Sequence, residues 1–87
     1  MRSTLRFEKR QIVDNYLFHH PCIDCKEDDV LVLEFDHTNG IKIKNVSSMI
    51  HDNSSIQQLI DEIDKCIVRC ANCHRRRHRL EERGIEV

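Results

Sequence analysis

Cysteine occurs in two Cys-x-x-Cys pairs, Cys22/Cys25 and Cys70/Cys73. A two-residue gap lets both sulfurs of a pair turn toward one ion. Two such pairs complete a closed tetrahedral set of four thiolates, the donor set of a structural Zn2+. The 44 residues between the pairs exceed the roughly 15–20 of compact zinc ribbons. The ion is therefore expected to tie the end of a first helix to the start of a last one, with strands looped out between them. A redox reading of the pairs lacks the thioredoxin-like βαβ pattern it needs. Of the histidines, His20 is the candidate to replace a sulfur. The fifth cysteine, Cys66, reads as a buried, unligated thiol.

A structural metal does not account for Phe35-Asp36-His37 or for Cys73-His74-Arg75-Arg76-Arg77-His78. His74 and His78 are four residues apart, which puts them on one face of a helix, one turn apart. With the Asp36 carboxylate they form a mixed nitrogen and oxygen donor set that leaves positions open for water and substrate. Histidine is the side chain suited to general-base work near neutral pH, which makes His37 the candidate base. Adjacent residues on a regular strand face opposite sides, so Asp36 and His37 serve one site only if the strand ends or bulges there. Thr38-Asn39-Gly40 permits that. Arg75, Arg76, Arg77 and Arg79 are candidate phosphate contacts, with Arg69, Lys42 and Lys44 as additions. Taken singly, each arginine also reads as part of a solvated helix face.

These residues need elements to carry them. Ile12, Val13, Tyr16 and Leu17 recur at helical spacing and predict a helix from about Leu5 to His19, ended by Pro21. Lys9 falls among its polar positions. Leu31, Leu33 and Phe35 alternate with Val32, Glu34 and Asp36, the two-residue period of a half-buried strand. Asn39-Gly40 followed by Ile41-Lys42-Ile43-Lys44 predicts a hairpin. Val46 to His51 suits a short helix. Ser55 and Gln58 fit a capping box, and Ile56, Leu59, Ile60, Ile63 and Ile67 mark the apolar face of the helix that follows. A last helix spans His74 to about Arg83 and stops at Gly84.

At 87 residues, 39% hydrophobic and 33% charged, the chain is sized for one domain with a modest core, which a metal commonly reinforces. The net charge of −1 hides a segregation. Seven Lys/Arg against two glutamates lie between Lys65 and Arg83, and six acidic residues against one lysine lie between Asp24 and Asp36. The basic segment is suited to facing phosphates. No apolar run approaches the ~18 residues of a membrane span. MRSTLRFEKR lacks the apolar stretch of a secretory signal, and five cysteines, an odd number, argue against a complete disulfide framework. In a reducing compartment paired cysteines more often bind metal or do redox chemistry. A cytoplasmic, membrane-free protein is expected.

The ordered set Cys-x-x-Cys, Leu-Glu-Phe-Asp-His, Cys-x-x-Cys-His resembles the zinc-bearing branch of the HNH endonucleases, especially small phage and bacterial ones. The resemblance covers roughly Pro21 to His78. It implies an α+β fold with a ββα-metal (HNH, or His-Me finger) core, the four cysteines holding a structural Zn2+. Together with the length and the helix pattern at the start of the chain, this gives a single domain over 1–87: an N-terminal helix at 1–20, the zinc-bound core at 21–80 and a C-terminal tail at 81–87. By position His37 matches the general base, Asp36 and His74 match ligands of a catalytic divalent metal (Mg2+, Mn2+, Ni2+ or Zn2+), and His78 matches a further ligand of some members. The implied activity is metal-dependent hydrolysis of phosphodiester bonds in DNA, by nicking or with low specificity, inside a bacterial or phage-infected cell. Cutting both strands with one small site per chain favours a dimer or two successive nicks, and the expected partners besides DNA are a second copy or a larger phage or host complex. Where the family carries its middle Asn this chain reads Asp64-Lys65-Cys66, and Asn72 lies inside the second cysteine pair and is not equivalent. The group that orients His37 is thus not visible in the sequence. The alternative is a non-catalytic zinc-binding module for nucleic acid or protein, which gives no role to Asp36 or His37.

Overall fold

The computed structural model describes residues 2–85, and its first element, α1 (Arg2–His19), is an 18-residue helix. Val13 and Leu17 are buried on one side of it, with Ile12 and Tyr16 packed beside them, as helical spacing requires. Pro21 has no N–H to continue the helix. The first cysteine pair follows, and then a single 3₁₀ turn at Val30–Val32, which Asp29 caps by accepting from the Leu31 amide at 2.9 Å. Strand β1 begins only at Leu33 and runs to His37. Leu31 is consequently 92% exposed, against the alternation that placed it with Leu33 on a buried face.

The expected hairpin does not form. Gly40 takes a left-handed turn (φ +72°), but residues 41–44 leave it as irregular chain, with Ile41 83% and Ile43 71% exposed. The partner of β1 is β2 (Cys66–Cys70), antiparallel and in register from Leu33 opposite Cys70 to His37 opposite Cys66. The reason is long-range. Bringing Cys70 to the first cysteine pair lays the strand that leads into Cys70 beside β1, and Val68 and Cys70 add buried surface that Ile41 and Ile43 do not.

Two helices fill the connection. Helix α2 covers Val46–His51, and α3 covers Ile56–Ile63 with the expected capping box: Ser55 Oγ accepts from the Gln58 amide at 3.1 Å, and Gln58 Oε1 accepts from the Ser55 amide at 2.7 Å. Helix α3 stops four residues short of Ile67, because Asp64 and Lys65 turn the chain into β2. Its buried face is Leu59, Glu62 and Ile63, while Ile60 lies outside. Cys66 is half-buried at the start of β2, not beside a helix face, and its thiol donates to the Glu62 carbonyl. Helix α4 (Ala71–Glu82) follows β2 directly. It ends in a Schellman motif, the Ile85 amide donating to the Leu80 carbonyl and the Gly84 amide to that of Glu81, with Gly84 at φ +73°. The fold is therefore a small α+β arrangement of four helices and a two-stranded antiparallel sheet among the described residues. No described helix is long and apolar enough to cross a membrane.

One charge anchors the helices to each other. Lys9, on the α1 face that also carries Val13, is 1% exposed. Its ammonium donates to the carbonyls of Met49, Asp52 and Ser54 around the C-terminal end of α2, which uses all three of its protons. Carbonyls at a helix C-terminus favour a cation, so the burial is compensated. Lys9→Met is expected to strand those carbonyls and to cost about 2–4 kcal/mol, the scale of losing hydrogen bonds to a buried charge. A lower urea midpoint at unchanged slope is the expected reading, and an unchanged midpoint refutes it.

Candidate metal centres

The sulfurs of Cys22, Cys25, Cys70 and Cys73 all lie within 4.8 Å of one another, and Cys25 Sγ is 3.7 Å from Cys70 Sγ. Four sulfurs at 2.3 Å from one ion in a tetrahedron sit roughly 3.8 Å apart, so the cluster fits a structural metal such as zinc. The backbone is shaped to it. The first pair lies in a tight turn in which the Lys26 amide donates to the Cys22 carbonyl and the Cys22 amide to that of Glu27. Lys26 takes φ +69°, a left-handed conformation that costs a residue with a Cβ roughly 1–2 kcal/mol. The turn docks on β2 through the Ile23 amide and the Val68 carbonyl at 3.0 Å. Cys70 is the N-cap of α4, its sulfur accepting from the Cys73 amide.

The donor chemistry also calls for a cation. Burial works against charge on Cys22, yet backbone hydrogen bonds from Cys70, Cys25 and Asp24 outweigh it and bring that thiol down to about 6. Hydrogen bonding to Cys70, reinforced by burial, pushes Cys73 up to about 12. Cys73 thus holds its proton at neutral pH unless a cation binds, and a coordinating cation is what deprotonates a thiol outright. His20 is not part of this cluster: it stacks on Tyr16 with ring centres 3.9 Å apart, and its Nδ1–H donates to the Tyr16 carbonyl.

A second cluster joins Asp36 with His74 and His78, their ligand atoms again within 4.8 Å of one another. His74 sits in the first turn of α4 because the helix starts at Ala71, and His78 follows one turn later, with ring centres 4.8 Å apart. Glu34 shares the strand face of Asp36 by the period of two, and accepts from His74 Nδ1 at 2.8 Å. A carboxylate only accepts, so Nδ1 carries the hydrogen, and in the neutral ring Nε2, 3.6 Å from Asp36 Oδ1, is the nitrogen with a lone pair. This is the way a carboxylate commonly orients a metal-binding histidine. The other Asp36 oxygen, Oδ2, accepts from Arg69 at 2.6 Å, and the same guanidinium donates to Asp24 inside the first cysteine turn at 2.7 Å. Arg69 is buried, so it braces Asp36 against the sulfur cluster and is not a free phosphate contact.

Asp36 and His37 stand on opposite faces of an unbroken ladder. The strand ends at His37, where the Thr38 and Asn39 amides both donate to the one Lys65 carbonyl. A cleft of about 550 Å³ opens between α1, α2 and β1, lined by residues of both faces of the strand. His37 and His74 both line it, together with Glu34, Arg10, Asn45 and Ser47. His37 Nε2 lies 2.8 Å from Glu62 Oε2. That carboxylate is 1% exposed and also accepts from the Ile43 amide at 3.0 Å and from Lys65 Nζ at 3.0 Å. Burial opposes its charge, but the donors from Lys65, Ile43 and His37 prevail and hold it down at about 2.

The arginines are divided. Arg75, Arg76 and Arg79 line a groove with Asn72 and Arg83 that includes neither histidine, and Arg77 is half-buried elsewhere on α4. At 100° per residue that groove lies on the side of the helix away from His74 and His78. Lys44 is paired with Asp52 at 2.7 Å. Sequence reasoning passed over Glu34, Glu62 and Arg69 as partners of the site. Glu34 was readable from strand alternation with Asp36, and Glu62 as an acid falling between Leu59 and Ile63 on an otherwise apolar stripe. Among known proteins, no family model, no curated protein and no solved structure matches the chain.

Two outcomes follow from this geometry. The metal-stripped chain is expected to take up a first, tightly held equivalent of Zn2+ with a gain of far-UV circular dichroism, and Cys73→Ser to lose that tight equivalent and the gain; unchanged tight binding and unchanged melting in that variant would remove the sulfur site. Separately, the Glu62 carboxyl at about 2, against an ordinary 4.5, contributes stability that is complete above pH 4.5 and is lost as pH falls toward 2. Urea midpoints measured against pH are expected to show that acid limb, and Glu62→Gln to flatten it.

Proposed function

We propose that the chain is a metal-dependent endonuclease of the zinc-bearing HNH type, hydrolysing phosphodiester bonds in DNA by nicking or with low specificity. The observation that carries this reading is the cluster of Asp36, His74 and His78 beside a cleft into which His37 also opens. β1, β2 and α4 are the ββα-metal core in this reading, and the four cysteines hold Zn2+ as the clamp that starts α4.

Asp36, His74 and His78 would hold the divalent ion, Mg2+, Mn2+, Ni2+ or Zn2+. When bound, it supplies positive charge against the scissile phosphate and the departing oxygen. His37 takes a proton from water as the water oxygen bonds to phosphorus. The bond from phosphorus to the 3′ oxygen breaks, and that oxygen takes a proton from solvent, leaving the 3′-hydroxyl and 5′-phosphate ends that the family resemblance implies. The groove of Arg75, Arg76 and Arg79 faces away from this chemistry, so it suits backbone contacts distant from the cut, with binding that weakens steeply with salt.

One observation favours the rival reading of a non-catalytic zinc-binding module: the buried ion pair with Arg69 gives Asp36 a structural role of its own. Nicking of supercoiled plasmid decides between them. With Mg2+, Mn2+ or Ni2+ the zinc-loaded chain is expected to nick, and His37→Ala and His74→Ala to lose at least about 100-fold, the scale of an acid–base group. Folded protein inactive in every metal supports the binding module, and full activity in His37→Ala removes the base.

A further inference from the structure

The bond between His37 and Glu62 has a chemical consequence beyond packing. We propose that Glu62 is the positioning residue of His37: it fixes the ring as the Nε2–H tautomer and presents Nδ1 to the cleft as the proton acceptor. This rests on the reading of His37 as the base. It supplies from α3, across 25 residues of chain, the orienting group that the sequence around the second cysteine pair lacks.

Three observations converge on it. Glu62 is an ionised carboxylate with only acceptor capacity, so the hydrogen shared with His37 belongs to Nε2. The carboxylate cannot swing away from the ring: the Ile43 amide holds the same oxygen, Lys65 Nζ holds the other, and Lys65 is itself tied to the Ile41 carbonyl at 2.7 Å. Finally, His37 Nδ1 has no hydrogen-bond partner among the described residues, and no buried side-chain nitrogen or oxygen there is left without one. Nδ1 is therefore reached by solvent, and His37 lines the cleft shared with His74. A Glu whose nearest helical neighbours Leu59 and Ile63 are fully packed is a costly choice for a purely structural position. Its three donors include the one ring whose tautomer matters for proton transfer.

The test has a spectroscopic arm and a kinetic arm, both on the zinc-loaded full chain. Long-range 1H–15N correlation spectra of the neutral His37 ring are expected to show Nε2 protonated and Nδ1 bare, with the two tautomers mixed in Glu62→Ala. A Nδ1–H ring in the wild-type chain overturns the proposal, whether or not any variant folds. In plasmid nicking, Glu62→Ala is expected to lower kcat roughly 10- to 100-fold with KM within about twofold, as for loss of an orienting partner. Glu62→Gln, whose amide oxygen still accepts from Nε2–H, is expected to recover part of that loss. Unchanged kcat in Glu62→Ala, or equal losses in kcat and in zinc content, overturns it. If His37→Ala nicks normally, it is the base assignment that fails, and the tautomer measurement still reports on the bond to Glu62.

Discussion

Convergence of four sulfurs is the constraint from which the rest of the molecule follows. Cys22 and Cys25 lie just after α1, and Cys70 and Cys73 lie at the junction of β2 and α4. Bringing them within 4.8 Å of one another closes a loop of more than forty residues, a cost in chain entropy that a modest core meets poorly by itself. A structural metal such as zinc is suited to offset it. Once the loop is closed, β2 lies against β1, the Ile23 amide has the free edge of β2 to bond, and α4 must start at Ala71. The placement of His74 in the first turn of that helix is then geometry, since a cysteine of the cluster precedes it directly.

Around Asp36, His74 and His37 a single pattern recurs: one polar atom of each side chain is taken by a protein partner, while Asp36 Oδ1 and His74 Nε2 face each other at 3.6 Å. Arg69 takes Oδ2 of Asp36, Glu34 takes Nδ1 of His74, and Glu62 takes Nε2 of His37. The remaining atoms are Oδ1, Nε2 and Nδ1. Such partnering fixes ring orientation and tautomer before any ligand arrives, which is how a site on a two-stranded sheet acquires rigidity. Arg69 also links Asp36 to Asp24 inside the first cysteine turn, so the two clusters share a mechanical connection and are not independent features of the surface.

Much of this was legible residue by residue. The capping box at Ser55, the stop at Gly84, the face of α1 and the one-turn separation of His74 and His78 all depend on spacing within a dozen residues, where backbone geometry leaves few choices. The cysteine pairs were legible because a tetrahedral thiolate site demands a short gap within each pair, though spacing says nothing of the path between pairs. The hairpin after Asn39-Gly40 was misread for a related reason. Turn chemistry is local, but a strand needs a partner with surface to bury, and the better partner for β1 lay 29 residues after its end. Leu31 and Ile67 were assigned to the wrong elements because an apolar residue at an element boundary fits either period.

Buried charge was the largest blind spot. Lys9, Glu62 and Arg69 look like surface residues in any window of sequence, and each is buried because partners from distant segments satisfy it: three carbonyls around α2, a lysine with an amide and a ring, and two carboxylates. The amino-acid sequence by itself determined the helices, their caps, the donor types and their spacing, since these follow from backbone periodicity and ligand chemistry. Only the tertiary structure decided which strand β1 joins, which charges go inside and which ring nitrogen of His37 and of His74 bonds a carboxylate. Those depend on the desolvation of groups far apart in the chain, a quantity that exists only once the segments have met.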